Sequence, residues 1–377
     1  MFNADDYRTW AEIDLEAMAH NMRIIRKMTN ENAKIMAVIK ANAYGHGMLQ
    51  AYRVLRENGA DCFAVATLQE AVELRTGGAT EPILILGYVP EDAAETLIKH
   101  EIMPTVYNEN TAKHLSQAAV RLKRNLRIHI KLDTGMSRLG FAAAEEMAQN
   151  TVESIAHIST LENIVIDGIF SHFSCSDTDR DYTKLQYNRF MHICDALRGK
   201  GIDVGIRHIC NSAGIVLEPD MHLDMVRPGI ILYGLHPDET TYGKIDLKPA
   251  MTWKARITHI KEIKSGTPVS YGNTYTAPQD MRVGTVCVGY ADGYSRTMSG
   301  QAEMFVCGQR VKQIGRICMD QCMIDLTNVH TIHVGDEVVL MGEGFSADAM
   351  AKLLNTINYE VVCDIGARVP RIYRTAE

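Results

Sequence analysis

The sequence predicts a (β/α)8 barrel followed by a second, mainly β domain, and three observations carry that expectation. Up to about residue 235, eight short apolar segments alternate with amphipathic helical patterns, the signature of a parallel sheet wrapped by helices. From Met251 onward, apolar and polar residues alternate at period two, with Gly and Asp at the turns. The texture changes between these regions, across 237–248, and 377 residues are enough for two domains. A doubly wound open sheet is the alternative for the first part.

Element by element, the segment WAEIDL opening at Trp10 reads as a strand able to join either domain. Leu15, Met18, Met22 and Ile25 are spaced three, four and three apart, which makes one helical face. Candidate barrel strands follow at 34–41, 62–67, 82–87, 103–107, 127–133, 164–173, 206–211 and 225–233. Thr67 and Glu70 form a capping box for the helix after the second of these, and Gly77 is its stop. In the β region, strands are expected from 251 and at 282–288, 304–307, 311–314, 322–326 and 337–341.

Composition narrows the function class. Apolar residues make up 46% and charged residues 23%, ordinary for a globular protein. A net charge of −7 with interspersed signs argues against nucleic acid or an anionic membrane as partner. No apolar run is long enough to span a bilayer, and the opening with Asp5 and Asp6 does not read as a secretory signal, so a cytoplasmic location is expected. The nine cysteines read as reduced thiols. Cys318 and Cys322 lack the second pair a zinc site needs, so no metal is expected.

The chemistry concentrates in a few places. Residues 36–47, MAVIKANAYGHG, set Lys40 at the end of an apolar strand, before Tyr44 and two glycines. An amine on a rigid strand beside a permissive loop suits an aldehyde cofactor held as a Schiff base. A lysine that merely ends a strand and reaches into water is the plain alternative. In RIHIKLD, His129, Lys131 and Asp133 share one strand face, opposite Ile128, Ile130 and Leu132. Three ionisable groups lining a barrel are costly unless paired or used. Arg138, in the next loop, is suited to a carboxylate. Ser171-His172, His208 with Asn211 and Ser212, and Arg227 with Gly229 and Ile230 all fall at C-terminal strand ends, where barrel sites gather. Ser212 and the amides around Gly229 and Ile230 are able to cradle a phosphate. In the β region, Tyr271, Tyr290 and the stretch from Arg316 to Asp320 lie beside glycine turns.

Taken in this order and spacing, these motifs closely resemble alanine racemase, a fold-type III pyridoxal-phosphate enzyme, over nearly the whole length from WAEIDL to the closing RVPR. The resemblance implies a barrel at 13–239 and a β domain at 240–377 joined by the strand at 1–12. It implies that Lys40 holds pyridoxal 5'-phosphate and then serves as one of two bases. Tyr271 would be the other, reaching in from the partner subunit of a head-to-tail homodimer. Tyr44, Asn211, Ser212, Gly229 and Ile230 would bind cofactor, with Arg227 at the ring nitrogen, His172 against the ring and His208 in support. Arg138, Met319 and Asp320 would bind substrate. Lys131 matches a lysine that some relatives carry as a carbamate, and Asp177, Tyr290, Arg296 and Arg316 would line the entrance. Two bases make sense because racemisation takes a proton from one face and returns one to the other.

The implied activity is interconversion of L- and D-alanine, supplying D-alanine for peptidoglycan. Ala367, where close relatives often carry a tyrosine, leaves room for serine, so a serine or dual alanine/serine racemase is the alternative. A non-catalytic pyridoxal-phosphate protein would lack residues 251–377 and Tyr271. A fold-type III decarboxylase would carry a glutamate where this chain has Arg227.

Overall fold

The structure, a computed structural model, describes residues 7–375. Asp5, Asp6 and the start of the expected strand at 1–12 lie outside them. Two compact units result. One gathers Ala17–Ala43 and Met48–Lys248; the other gathers the described residues up to Glu16, Tyr44–Gly47 and the chain from Pro249 on.

The first unit is a closed parallel barrel. After β1 (Thr9–Asp14), its strands are β2 (Lys34–Val38), β3 (Cys62–Val65), β4 (Ile83–Ile85), β5 (Ile102–Val106), β6 (Leu126–Asp133), β7 (Ile164–Phe170), β8 (Ile206–His208) and β9 (Met225–Val226). Each pairs in parallel with the next, and β9 returns to β2. That closure decides against an open doubly wound sheet. The register slips between Ile128 and His129, which pair with Ile166 and Gly168 and leave Asp167 as an extra residue.

The helices follow their sequence signals. Helix α1 (Leu15–Met28) buries Met18, Met22 and Ile25 completely, the face read from spacing. Helix α2 (Leu68–Thr76) starts at the Thr67–Glu70 capping box, and the Gly77 amide closes it on Glu73 O. Strand ends come earlier than expected. The expected strand at 34–41 stops at Val38 and that at 225–233 at Val226, where Pro228 supplies no ladder donor and Ile230–Tyr233 form a 3-10 turn. The strands expected to 173 and 211 end at Phe170 and His208.

The second unit is built on β10 (Met251–Ile263), whose residues 251–257 alternate buried and half-buried. Around it run β11 (Met281–Val286), β12 (Glu303–Val306), β13 (Gln309–Ile314), β14 (Cys322–Asp325), β15 (Glu337–Met341) and β16 (Arg371–Arg374). β10 pairs antiparallel with both β11 and β15, and β14, β13 and β12 complete the ring. β1 lies antiparallel on β10 and takes β16 in parallel on its other side. Trp253 donates its indole N–H to Thr9 Oγ1 (3.0 Å), so this buried aromatic is satisfied as well as packed.

Candidate active site

The turn that carries Lys40 is unusual backbone. Ala41, Asn42 and Ala43 have φ of 52°, 53° and 55°, and Tyr44 continues at 51°. Four successive non-glycine residues in the left-handed region are each disfavoured by about 1–2 kcal/mol, so the turn must be held by its surroundings. Ala41 N donates to Glu70 Oε1 (2.6 Å), and Met48 N donates to Asn42 Oδ1 (2.8 Å). The other Glu70 oxygen accepts from Ala66 N and Thr67 N (2.8 and 3.2 Å). One carboxylate therefore ties the half-buried lysine's turn to the start of α2.

At the same end of the barrel, Arg227 is buried and fully engaged. It donates to Ser171 O (2.6 Å), Ile209 O (3.1 Å), His172 Nδ1 (3.2 Å) and His208 Nδ1 (2.9 Å). Burial lowers its pKa to about 10, which leaves it cationic at neutral pH. Burial, and then Arg227 itself, hold His172 and His208 well below the usual imidazole range. Ser212 Oγ accepts from Gly229 N (2.9 Å), which brings these two expected phosphate residues together, with Ile230 next in the chain. Asn211 is used as the N-cap of Ser212–Leu217: its Oδ1 accepts from Gly214 N (2.9 Å) and Ser176 Oγ (2.8 Å).

Lys131 is buried with its Nζ 4.4 Å from the Phe170 ring centre. Burial, Arg227 and Arg138 push its pKa well below the ordinary lysine value, toward a neutral amine. Asp133 does not simply neutralise that lysine. Its Oδ1 accepts from the amides of Gly135, Met136 and Ser137, each 3.0 Å, and so shapes the loop bearing exposed Arg138. Gly140 closes that loop at φ 140°, where a Cβ would lie 2.3 Å from Asp133 N. Asp177 is half-buried in the loop after β7, and its carbonyl accepts from Thr240 Oγ1 (3.2 Å).

Within the second unit, Tyr44 is buried and its phenol is pushed up by burial, so it is a neutral donor. Arg371 anchors the neighbouring backbone by donating to Gly45 O (2.8 Å) and to Ile365, Gly366 and Val369 carbonyls. Tyr271 sits in the 3-10 turn Tyr271–Asn273 with 67% exposure, pinned where Ser270 Oγ donates to Arg316 O (2.6 Å). Tyr290 N donates to Cys318 O (3.1 Å) and Ala291 N to Met319 O (3.0 Å). Exposed Arg296 joins through Ser299, whose Oγ donates to Arg296 O and accepts from Ile317 N. Tyr271, Tyr290, Arg296, Arg316, Met319 and Asp320 thus lie on three interlocked loops. Sequence reading missed what holds two of them. Asp292, fully buried, pairs with Arg8 and with Arg368 (3.1 Å), and Arg368 pairs with Asp320 (2.7 Å). A buried aspartate in YADG, two residues beyond Tyr290, was the available signal.

Comparison with known proteins agrees with the barrel and the β domain. The family model for the alanine racemase N-terminal domain matches residues 13–237, and that for the C-terminal domain matches 250–373. The two matched domains define an amino-acid isomerase of the barrel-plus-β-domain class. An alanine racemase of Clostridium tetani is 47% identical over 371 residues, covering 97% of this chain and 95% of its own. Alanine racemase 1 of Clostridium acetobutylicum is 49% identical, with the same coverage. The solved alanine racemase of Clostridium difficile 630 superimposes with a TM-score of 0.94 at 41% identity, covering 98% of this chain and 96% of that one. The chain belongs to the alanine racemase family.

Proposed function

We propose that this protein interconverts L- and D-alanine using pyridoxal 5'-phosphate, and thereby supplies D-alanine for peptidoglycan. The observation that carries the cofactor assignment is a surplus of positive charge at the barrel mouth. Arg227, Lys131, Arg138 and Lys40 all oppose a positive charge on His172. A ligand bearing a phosphate and a carboxylate fits that surplus. Ser212 and the Gly229 and Ile230 amides would hold the phosphate with Tyr44, Arg227 would face the ring nitrogen and His172 the ring. Asn211 would act through its cap. When bound, the cofactor withdraws electrons from the substrate's α-carbon and so makes its proton removable.

Lys40 would anchor the cofactor and then move a proton at its amine, and Tyr271 would move one at its phenolic oxygen from the opposite face. Arg138, with the Met319 backbone and Asp320, would orient the substrate carboxylate. Asp177, Tyr290, Arg296 and Arg316 would screen the entrance. An exposed Tyr271 suits a residue covered by a second copy, which supports a head-to-tail homodimer. No helix among the described residues is long and apolar enough to cross a membrane, in keeping with a cytoplasmic enzyme.

Two of the solved relatives were determined with small molecules bound. One, from Clostridium difficile, is a complex with cycloserine, and one, from Bacillus anthracis, has bound L-Ala-P. Nothing in the comparisons supports serine as the preferred substrate. The deciding assay follows L-alanine and L-serine with added cofactor by chiral chromatography. Alanine should turn over faster; Lys40→Ala and Tyr271→Phe should each lose at least about a hundredfold. Mixing those two inactive proteins and allowing exchange should restore about a quarter of the activity, because each mixed dimer regains one complete site. No racemisation by the unmutated protein would end the proposal, and no recovery on mixing would end its shared-site part.

A further inference from the structure

A column of hydrogen-bonding side chains runs along the barrel interior, from Arg227 at the C-terminal end to the N-terminal part of β6 and β7. His208 Nδ1 is 2.9 Å from Arg227 Nη1, and an arginine only donates, so Nδ1 is an acceptor. His208 Nε2 is 2.9 Å from His129 Nδ1. A neutral His208 with Nδ1 bare carries its proton on Nε2 and donates it to His129. His129, if neutral, must then carry its own proton on Nε2. That nitrogen is buried, has no other hydrogen-bond partner and faces Asp167 Oδ2 at 3.5 Å. Asp167 in turn accepts two hydrogen bonds from Arg127, both 2.7 Å. Every donor and acceptor along the column is fixed by its two ends.

The backbone is built around this column. Asp167 and Phe170 are three apart, so on a regular strand they would face opposite ways. The extra residue in β7 changes that alternation, and both reach His129: the carboxylate at 3.5 Å and the Phe170 ring at 6.4 Å between centres. Phe170 also lies flat on His208, 4.8 Å and 5° apart. Gly168 leaves the space the imidazole needs, since a Cβ there would lie 2.5 Å from His129 Cε1. Barrel interiors are ordinarily filled with branched apolar residues. A bulge, a glycine and two stacked rings spent on a polar column call for a reason.

We propose that Asp167, His129 and His208 are positioning residues that hold Arg227 in place. The half-buried Asp167 carboxylate sets the tautomer of His129, which sets that of His208, which keeps an acceptor permanently presented to the guanidinium. The column does not conduct protons, because it ends on a group that keeps its own. Arg127 and Arg227 disfavour imidazolium at His129, where Asp167 favours it, and Arg227 and Lys131 disfavour it at His208.

The first test needs no activity. In the full-length protein labelled with 15N-histidine, long-range proton–nitrogen spectra at neutral pH should show His129 and His208 as neutral, with the proton on Nε2. A proton on Nδ1 of either, or an imidazolium, overturns the proposal. Asp167→Ala should redistribute both tautomers and lower kcat by about tenfold or more while KM moves less than about twofold, as when a group that orients a site residue is removed. Asp167→Asn, which keeps an acceptor oxygen, should restore the tautomers and most of kcat. If Asp167→Ala leaves spectra and kcat as in the parent, the proposal fails. Should it not fold, Gly168→Ala displaces the same ring without changing charge and must move the same signals. The kinetic arm rests on the racemase reading above. Absence of activity in the parent would sink that reading, whereas wrong tautomers sink only this one.

Discussion

Lys131 shows how far a single residue's chemistry departs from its type. With its amine buried over Phe170 and two guanidiniums disfavouring charge, it is pushed toward the neutral, nucleophilic form. A neutral amine adds to carbon dioxide, and the resulting carbamate anion would offset Arg138 and Arg227. Supplying 13C-bicarbonate should therefore produce a carbamate carbon signal that Lys131→Ala removes. A spectrum without that signal at neutral pH would show the amine to be unmodified. That three ionisable residues share a face of β6 was readable from alternation; that Asp133 serves the following loop was not. Its partners are backbone amides one to three residues beyond Thr134, and their approach depends on Gly140 closing the loop.

At the scale of elements, the lysine turn and α2 stand or fall together. Glu70 accepts from three amides on two segments, so Glu70→Ala should lower stability by about 1–3 kcal/mol, measured by denaturant unfolding. Ala41→Gly should do the reverse of its usual helical effect and hold or raise stability, because φ 52° strains alanine and suits glycine. A loss of about 1 kcal/mol, as in an ordinary helix, would contradict this account of the turn. The capping box was legible because its two partners are three residues apart. The left-handed turn was not, because alanine and asparagine carry no local demand for positive φ, and distant contacts impose it. The same reasoning covers the overlong strand expectations: apolar sequence continues past Val38 and Val226, but the chain has already left the sheet.

For the molecule as a whole, histidines of the barrel held below their usual range link stability to acid. His129, His172 and His208 are all held below the ordinary imidazole value, burial being the first cause in each. The unfolded chain takes up these protons as the pH falls through about 6.5, while the native state resists. Their contribution is therefore complete above that pH and is lost below it, by up to about 1.4 kcal/mol per pH unit for each. Urea midpoints should fall steadily from pH 7 to pH 5, and a flat profile would show that these rings protonate without unfolding. The two-part architecture was legible from the switch in period near Met251. What no periodicity revealed is that the second part is stitched from both ends of the chain, with β1 lying between β10 and β16. During synthesis the barrel's eight strands are all available long before Arg374 emerges, whereas the sheet holding β1 waits for the final segment. A strand made early is thus among the last to find its neighbour, and a nascent chain stalled before Arg371 leaves β1 with one edge bare.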